Sequence, residues 1–320
     1  MMNALLKVLA TRNVPVANAS MAGAAGADLA SAVSAAGGIG MVGVSGTPNL
    51  ETLASAGERL EREGAVWGAG FLSFALDRDM APLQVVLAHR PAVVTLGFGH
   101  SEHAFAAVRD TPAVLLAQVG NVIELEQAVS ANVDGIIVRG SEAGGHGRNE
   151  ISTLAFLQLA AERTAIPILA AGGVTTPRGL AAVMTAGAVG AWIGTRFTVA
   201  TESQFSDAAR QRVINARSGD TVYTRVFDIA QRGAWPPHYG GRALSNTFSR
   251  TWNGREELLE QRVAASDEIT DDMKDARARD RFDVAPIYSG EGSAMITRVE
   301  SAAEILHDFA TYCDYLPEEN

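Results

Sequence analysis

A single cysteine, Cys313, stands in a chain of 320 residues, so no disulfide can form within it and no cysteine-rich metal cluster can be built. Basic residues are also scarce: 26 Lys and Arg face 36 Asp and Glu, for a formal net charge of −10. A nucleic acid or an anionic membrane surface would want a basic face, and neither is expected as a partner. No uninterrupted apolar run approaches the ~20 residues that a membrane-spanning helix needs. The first residues carry Lys7 and Arg12 without a long apolar stretch, which is unlike a leader peptide. The expectation is a soluble, cytoplasmic protein. Nothing in the chain has the spacing of a P-loop, a zinc-protease helix or a nucleophile elbow.

What the sequence does hold is apolar and glycine-rich. Hydrophobic residues make up 47% and charged ones 19%, enough for a large core and too little charge for disorder. From residue 14 to about residue 195 two textures alternate. Short β-branched or apolar runs end in glycine, and longer Ala- and Leu-rich stretches follow with helical spacing. The predicted strands cover residues 14–19, 38–44, 66–72, 93–97, 113–119, 135–139, 166–171 and 190–194. Helices are predicted between them, including 27–36, 49–63, 101–109, 122–132, 152–164 and 177–186. Asn49 suits an N-cap, and Thr176 followed by Pro177 suits a cap and first helical position. Gly37, Gly64 and Gly187 stand where helices should stop. Strands that are apolar on both faces and alternate with helices imply a parallel sheet covered by helices. Eight such units in this length favour a closed (β/α)8 TIM barrel over an open sheet.

Beyond residue 195 the texture changes. Residues 200–218 read as a helix; residues 220–281 are polar, broken by Trp235, Pro236, Pro237 and Gly240-Gly241. Exposed helices are expected at 256–263 and 267–279, and hydrophobic order resumes at 284–288 and 302–312. The expected organisation is a barrel over 1–218, an inserted, mainly helical subdomain over 219–283 above the barrel mouth, and a C-terminal segment, 284–320, returning to the barrel.

Glycine-rich segments stand at four places along the predicted barrel. Gly38-Ile39-Gly40-Met41-Val42-Gly43 satisfies the dinucleotide fingerprint, but a helix precedes it and the motif is itself a strand. It reads better as a barrel strand against which a flat ring or another backbone comes close. By contrast, Ala170-Ala171-Gly172-Gly173 closes the seventh strand, and Ile193-Gly194-Thr195 closes the eighth. Loops after those two strands form the usual phosphate site of a barrel. The sixth strand ends in Arg139-Gly140-Ser141-Glu142-Ala143-Gly144-Gly145-His146-Gly147. A histidine between glycines at the catalytic end of a strand is expected to be exposed and available for acid, base or hydrogen-bond chemistry.

At these residues the chain resembles the nitronate monooxygenase (2-nitropropane dioxygenase) family. The segments Glu142–His146, Ala170–Gly173 and Gly194–Phe197 with Glu202-Ser203 stand in the family's order. So do Met21-Ala22-Gly23, the run 36–40, and Tyr288-Ser289-Gly290-Glu291-Gly292. The resemblance thus covers nearly the whole chain. It implies a flavin enzyme binding FMN, with Ala19, Ser20 and Met21 along the ring through their backbone and Gln118 at its polar edge or ribityl chain. Ala143, Gly144 and Gly145 would flank the ring; Ala171, Gly172, Gly173, Gly194 and Thr195 would hold the phosphate. His146 would be the catalytic histidine. Two departures stand out: the family commonly has Ala-Pro-Met where this chain has Ala19-Ser20-Met21, and an asparagine after strand three where Gly68–Phe71 offers none.

The substrate implied is an alkyl nitronate, oxidised with dioxygen to a carbonyl compound and nitrite. His146 would position the anionic nitro group, and apolar residues around Phe71, Phe98, Trp235 and Tyr288 would exclude water. Flavin-type enoyl-ACP reductases and NADH:quinone reductases share these blocks and take hydride from a nicotinamide, so an NAD(P)H-dependent reductase stands as the alternative. A barrel that keeps FMN without catalysis is a lesser one. His100 and His103 with Glu102 have no third ligand evident nearby, and no metal site is expected. The resemblance leaves the oligomeric state open, a homo-oligomer included.

Overall fold

The computed structural model describes residues 2–317; the last three residues of the expected C-terminal segment lie outside the described residues. Eight parallel strands form one sheet: β1 (Val16–Asn18), β2 (Gly40–Gly43), β3 (Trp67–Leu72), β4 (Val93–Gly97), β5 (Val114–Val119), β6 (Gly135–Arg139), β7 (Ile168–Ala171) and β8 (Gly190–Ile193). Each pairs with its sequence neighbour from β2 to β8, and β8 pairs with β1. The expected (β/α)8 barrel is the fold, with every predicted strand present and most trimmed at the ends.

Period-two alternation decides what fills the barrel. Met41, Val93, Leu116, Ile137, Leu169 and Trp192 cluster inside, and Leu5 joins them. Leu5 sits on a helix, Ala4–Leu9, that was not expected from the sequence; Asn3 caps it by accepting from the Leu5 and Leu6 amides. Their strand neighbours Val42, Val94, Ile136, Val138 and Ala170 face outward, into a second layer with Leu29, Val33, Leu83, Phe156 and Leu180 of the surrounding helices.

Closure between β1 and β2 rests on few backbone contacts. The Ile39 amide donates to Val16, and Ala17 and Ile39 form a single bridge. Asn18, fully buried, supplies the rest. Its Oδ1 accepts from the Met41 amide at 2.8 Å, and its Nδ2 donates to the Met41 carbonyl at 2.8 Å. The side chain thus acts as one more rung of the ladder. Asn18→Ala would strand both Met41 groups in the core, at about 1–3 kcal/mol each, so a loss of about 2–6 kcal/mol is expected from urea unfolding. A loss below about 0.5 kcal/mol would show that packing alone closes the barrel.

The glycine run on β2 behaves as expected, with another backbone in the role of close neighbour. A Cβ on Gly40 would overlap the Ala30 carbonyl of the helix Ala27–Ala35. Asn49 and Thr176 cap their helices through the Thr52 and Gly179 amides.

The region after β8 departs from expectation in two places. Instead of one helix over 200–218, a turn leads to Asp207–Ile214. Arg210 holds the turn by donating to the carbonyls of Ala200, Thr201 and Ser203, and Ser206 caps the helix. Residues 219–283 hold four helices, Val226–Ala230, Thr247–Trp252, Glu256–Ala265 and Glu268–Ala278, but also two strands, Thr221–Thr224 and Gly240–Leu244. Gly240–Leu244 pairs antiparallel with Thr221–Thr224 on one side and with Gly145–Gly147 of the barrel loop on the other. The sequence did not show them because the sheet is completed by Gly145–Gly147, far away in the chain. Ile305, Leu306 and Phe309 of the last helix, Ala302–Phe309, pack into the outer barrel layer.

Candidate active site

At the carboxyl ends of the strands lies a cavity of about 390 Å³. All thirteen residues singled out from the sequence line it: Ala19, Ser20 and Met21 after β1, Gln118 on β5, Ala143, Gly144, Gly145 and His146 after β6, Ala171 at the end of β7 with Gly172 and Gly173 after it, and Gly194 and Thr195 after β8. Phe71, Phe98, Trp235 and Tyr288 line it too.

The loop after β6 is held from beneath by Arg139. Its guanidinium, buried at the strand end, donates through Nη2 to the carbonyls of Ala143, Gly144 and Gly145 at 3.2, 3.0 and 2.8 Å. Burial lowers its pKa to about 10, so it stays a cation at neutral pH. Glu142 anchors the loop's other side, accepting from the Thr153 amide and hydroxyl at the start of the helix Thr153–Arg163. Arg242 closes the top by donating to the Ser141 carbonyl.

His146 is not exposed as the sequence suggested; its side chain retains 10% of its accessible surface. It lies on the short strand Gly145–Gly147, opposite Gly241. A Cβ on Gly241 would press into the Tyr288 ring at 2.6 Å, so glycine there leaves room for two rings. His146 Nε2 lies 2.8 Å from Asp228 Oδ1. The Trp235 ring stacks on the imidazole with centroids 3.7 Å apart and 5° between planes. Tyr288 flanks it at 4.9 Å. Burial, then the Asp228 charge, pushes the Tyr288 phenol well above its ordinary range, which keeps it protonated. The covering groups all come from the segment beyond the barrel strands.

Asp228 was not singled out from the sequence. Its one signal is a carboxylate within the apolar run Val226-Phe227-Asp228-Ile229-Ala230. Phe98 was read only as an apolar wall, yet it holds φ at 64°, a conformation costly for a large side chain. Its ring lies edge-on against Trp235, 5.0 Å away. Thr95, on β4, adds a buried hydroxyl with no protein partner, and it too lines the cavity.

The loops after β7 and β8 form an open cradle. Gly172 and Gly173 hold φ at 114° and 71°, in the left-handed region that favours glycine. Thr195 Oγ1 accepts from the Gly290 amide at 2.9 Å, leaving its own proton free to donate. Elsewhere, His100 bonds Glu102 at the surface, and among the described residues no three His, Cys, Asp or Glu converge as a metal site would require. No helix among the described residues is long and apolar enough to cross a membrane.

Comparison with known proteins places this geometry. A family model described as nitronate monooxygenase matches residues 59–311. The nitronate monooxygenase npaC of Metarhizium robertsii is 32% identical over 261 residues, spanning 75% of this chain and 71% of that protein. Among solved structures, nitroalkane oxidase from Streptomyces ansochromogenes superposes with a TM-score of 0.82 at 23% identity, covering 97% of this chain and 98% of that one. FabK from Thermotoga maritima also gives 0.82 at 23% identity, covering 98% and 96%. The two structures support the barrel fold, while the family model and the fungal relative go further: the chain belongs to the nitronate monooxygenase family of flavin-dependent oxidoreductases.

Proposed function

We propose that the protein is an FMN-dependent nitronate monooxygenase, oxidising an alkyl nitronate with dioxygen to a carbonyl compound and nitrite. The observation that carries this reading is the convergence in one cavity of an anion cradle, a largely buried histidine and an apolar wall. The residues present fit the cofactor. The cradle of Gly172, Gly173, Gly194 and Thr195 suits its phosphate, and the unpartnered Thr95 hydroxyl and the Gln118 amide suit a polar ring edge or ribityl chain. Ala19, Ser20 and Met21 would run along the ring by their backbone, with Ala143, Gly144 and Gly145 flanking it.

When bound, FMN supplies the electron transfer that the side chains cannot. The chain's own residues do the rest. His146 binds the nitro group and sets its orientation; Phe71, Phe98, Trp235 and Tyr288 keep water from the reacting carbon. Dioxygen supplies the carbonyl oxygens and the carbon–nitrogen bonds break to release nitrite, so that two nitronates and one dioxygen give two carbonyl compounds and two nitrites.

The test is anaerobic. Flavin-loaded protein is mixed separately with an alkyl nitronate and with NAD(P)H while flavin absorbance is followed. Rapid loss of oxidised-flavin absorbance with the nitronate, and none with either nicotinamide, is the expected result. Bleaching by NADH or NADPH alone, with none from the nitronate, would replace this reading with an NAD(P)H-dependent reductase.

A further inference from the structure

Asp228 is a charged group of the cavity wall that the proposed reaction has not used. Asp228 lies on the short helix Val226–Ala230, is 7% exposed, lines the cavity, and touches His146 through Oδ1. Its Oδ2 is buried with no protein partner. A carboxylate so placed is costly, and leaving one oxygen unpaired costs more. Its neighbours in the run, Val226, Phe227 and Ala230, are buried core residues, so the fold alone would favour an apolar side chain at this position.

We propose that Asp228 is the positioning residue of His146, fixing the ring as the tautomer with its proton on Nε2 and leaving Nδ1 for the ligand. An ionised carboxylate only accepts, so at 2.8 Å the facing Nε2 must carry the hydrogen. Nδ1 makes no hydrogen bond among the described residues, which leaves it as the nitrogen free to meet a substrate. It donates to an anionic nitro oxygen when the ring carries two protons and accepts a proton when it carries one. Trp235 and Tyr288 restrict the ring's plane, and Asp228 selects its flip. A flipped ring would place carbon where Asp228 now finds a donor. The assignment rests on His146 being the catalytic histidine, and its test separates the two ideas.

Histidine-labelled, flavin-loaded protein is studied by long-range proton–nitrogen NMR, with the His146 signals identified by their loss in His146→Ala. Wild type is expected to show a protonated Nε2 at His146. Asp228→Leu, close in volume, is expected to retain flavin, lose that single-tautomer signature and lose on the order of 10²-fold in kcat with little change in KM. Asp228→Asn, whose amide oxygen can still accept, is expected to keep the signature and recover at least tenfold of that loss. Should Asp228→Leu fail to fold, Asp228→Asn decides. An Nε2 without its proton in wild type, or an unchanged tautomer and kcat in Asp228→Leu, would overturn the assignment. Wild-type turnover in His146→Ala would instead remove the catalytic reading of His146, and the nitrogen spectra would still report what Asp228 does to the ring.

Discussion

Gly173→Asp is expected to give a folded protein that does not retain its flavin. The space is there: a Cβ at this position has as its nearest neighbour the Cβ of Glu142, 4.0 Å away. The backbone sits at φ 71°, which a short polar residue such as aspartate tolerates at a cost of about 1–2 kcal/mol. Folding therefore survives. What does not survive is the electrostatics of the cradle, because a carboxylate would face the phosphate across the opening. Like charges in such contact cost several kcal/mol. At about 1.4 kcal/mol per tenfold, flavin affinity should fall on the order of 10²-fold or more. Gly173→Ala carries the backbone strain without the charge and should retain most of the flavin. Titrating apo-protein with FMN, with circular dichroism to confirm the fold, distinguishes the two. Full flavin content in Gly173→Asp would move the phosphate away from the loop after β7. The same substitution at Gly172 would be a poorer test, since a Cβ there runs into Thr153 Oγ1 at 2.5 Å.

That loop was legible before any coordinates, and the reason is local. A strand end that turns through two left-handed positions writes the requirement as consecutive glycines, as in Gly172-Gly173. The strands themselves were legible because β-branched runs punctuated by glycine recur at barrel spacing. What escaped reading depends on residues far apart in the chain. His146 and Asp228 are 82 positions apart, and the strand carrying His146 pairs with Gly240–Leu244, whose texture alone looks like loop. For the same reason His146 looked exposed: the glycines around it describe the barrel end faithfully but carry no trace of Trp235 lying across the ring. Asn18 is an intermediate case. A polar residue in a buried strand is visible in sequence, but its purpose as a rung between β1 and β2 appears only once Met41 is seen beside it. Helix Ala4–Leu9 escaped because six residues give too little periodicity to recognise.

His146→Ala is expected to keep flavin and to lose about 10³-fold in turnover, within the range that a positioned acid, base or hydrogen-bond donor contributes. Flavin should stay because the cradle after β7 and β8 belongs to other loops, and the residues flanking His146 are held by Arg139 and Glu142, neither of which hydrogen-bonds the imidazole. The substitution has a structural consequence as well. It leaves both oxygens of Asp228 unpartnered in a buried setting and removes the ring on which Trp235 stacks. Leaving a buried carboxylate without its hydrogen-bond donor costs about 1–3 kcal/mol or more, so the variant should also unfold more easily. A drop in activity alone would therefore be ambiguous, and His146→Gln resolves it. Its amide can donate to Asp228 and restore stability, but it cannot exchange protons as imidazole does. If His146 acts on the reaction, the glutamine variant should regain stability without regaining turnover, and kcat and kcat/KM should fall together, as when an interaction of the transition state is lost. If glutamine restores both, the ring serves the packing beneath Trp235, and the search for the catalytic group moves to Tyr288, whose proton is held firmly and whose ring lies on the same wall of the cavity.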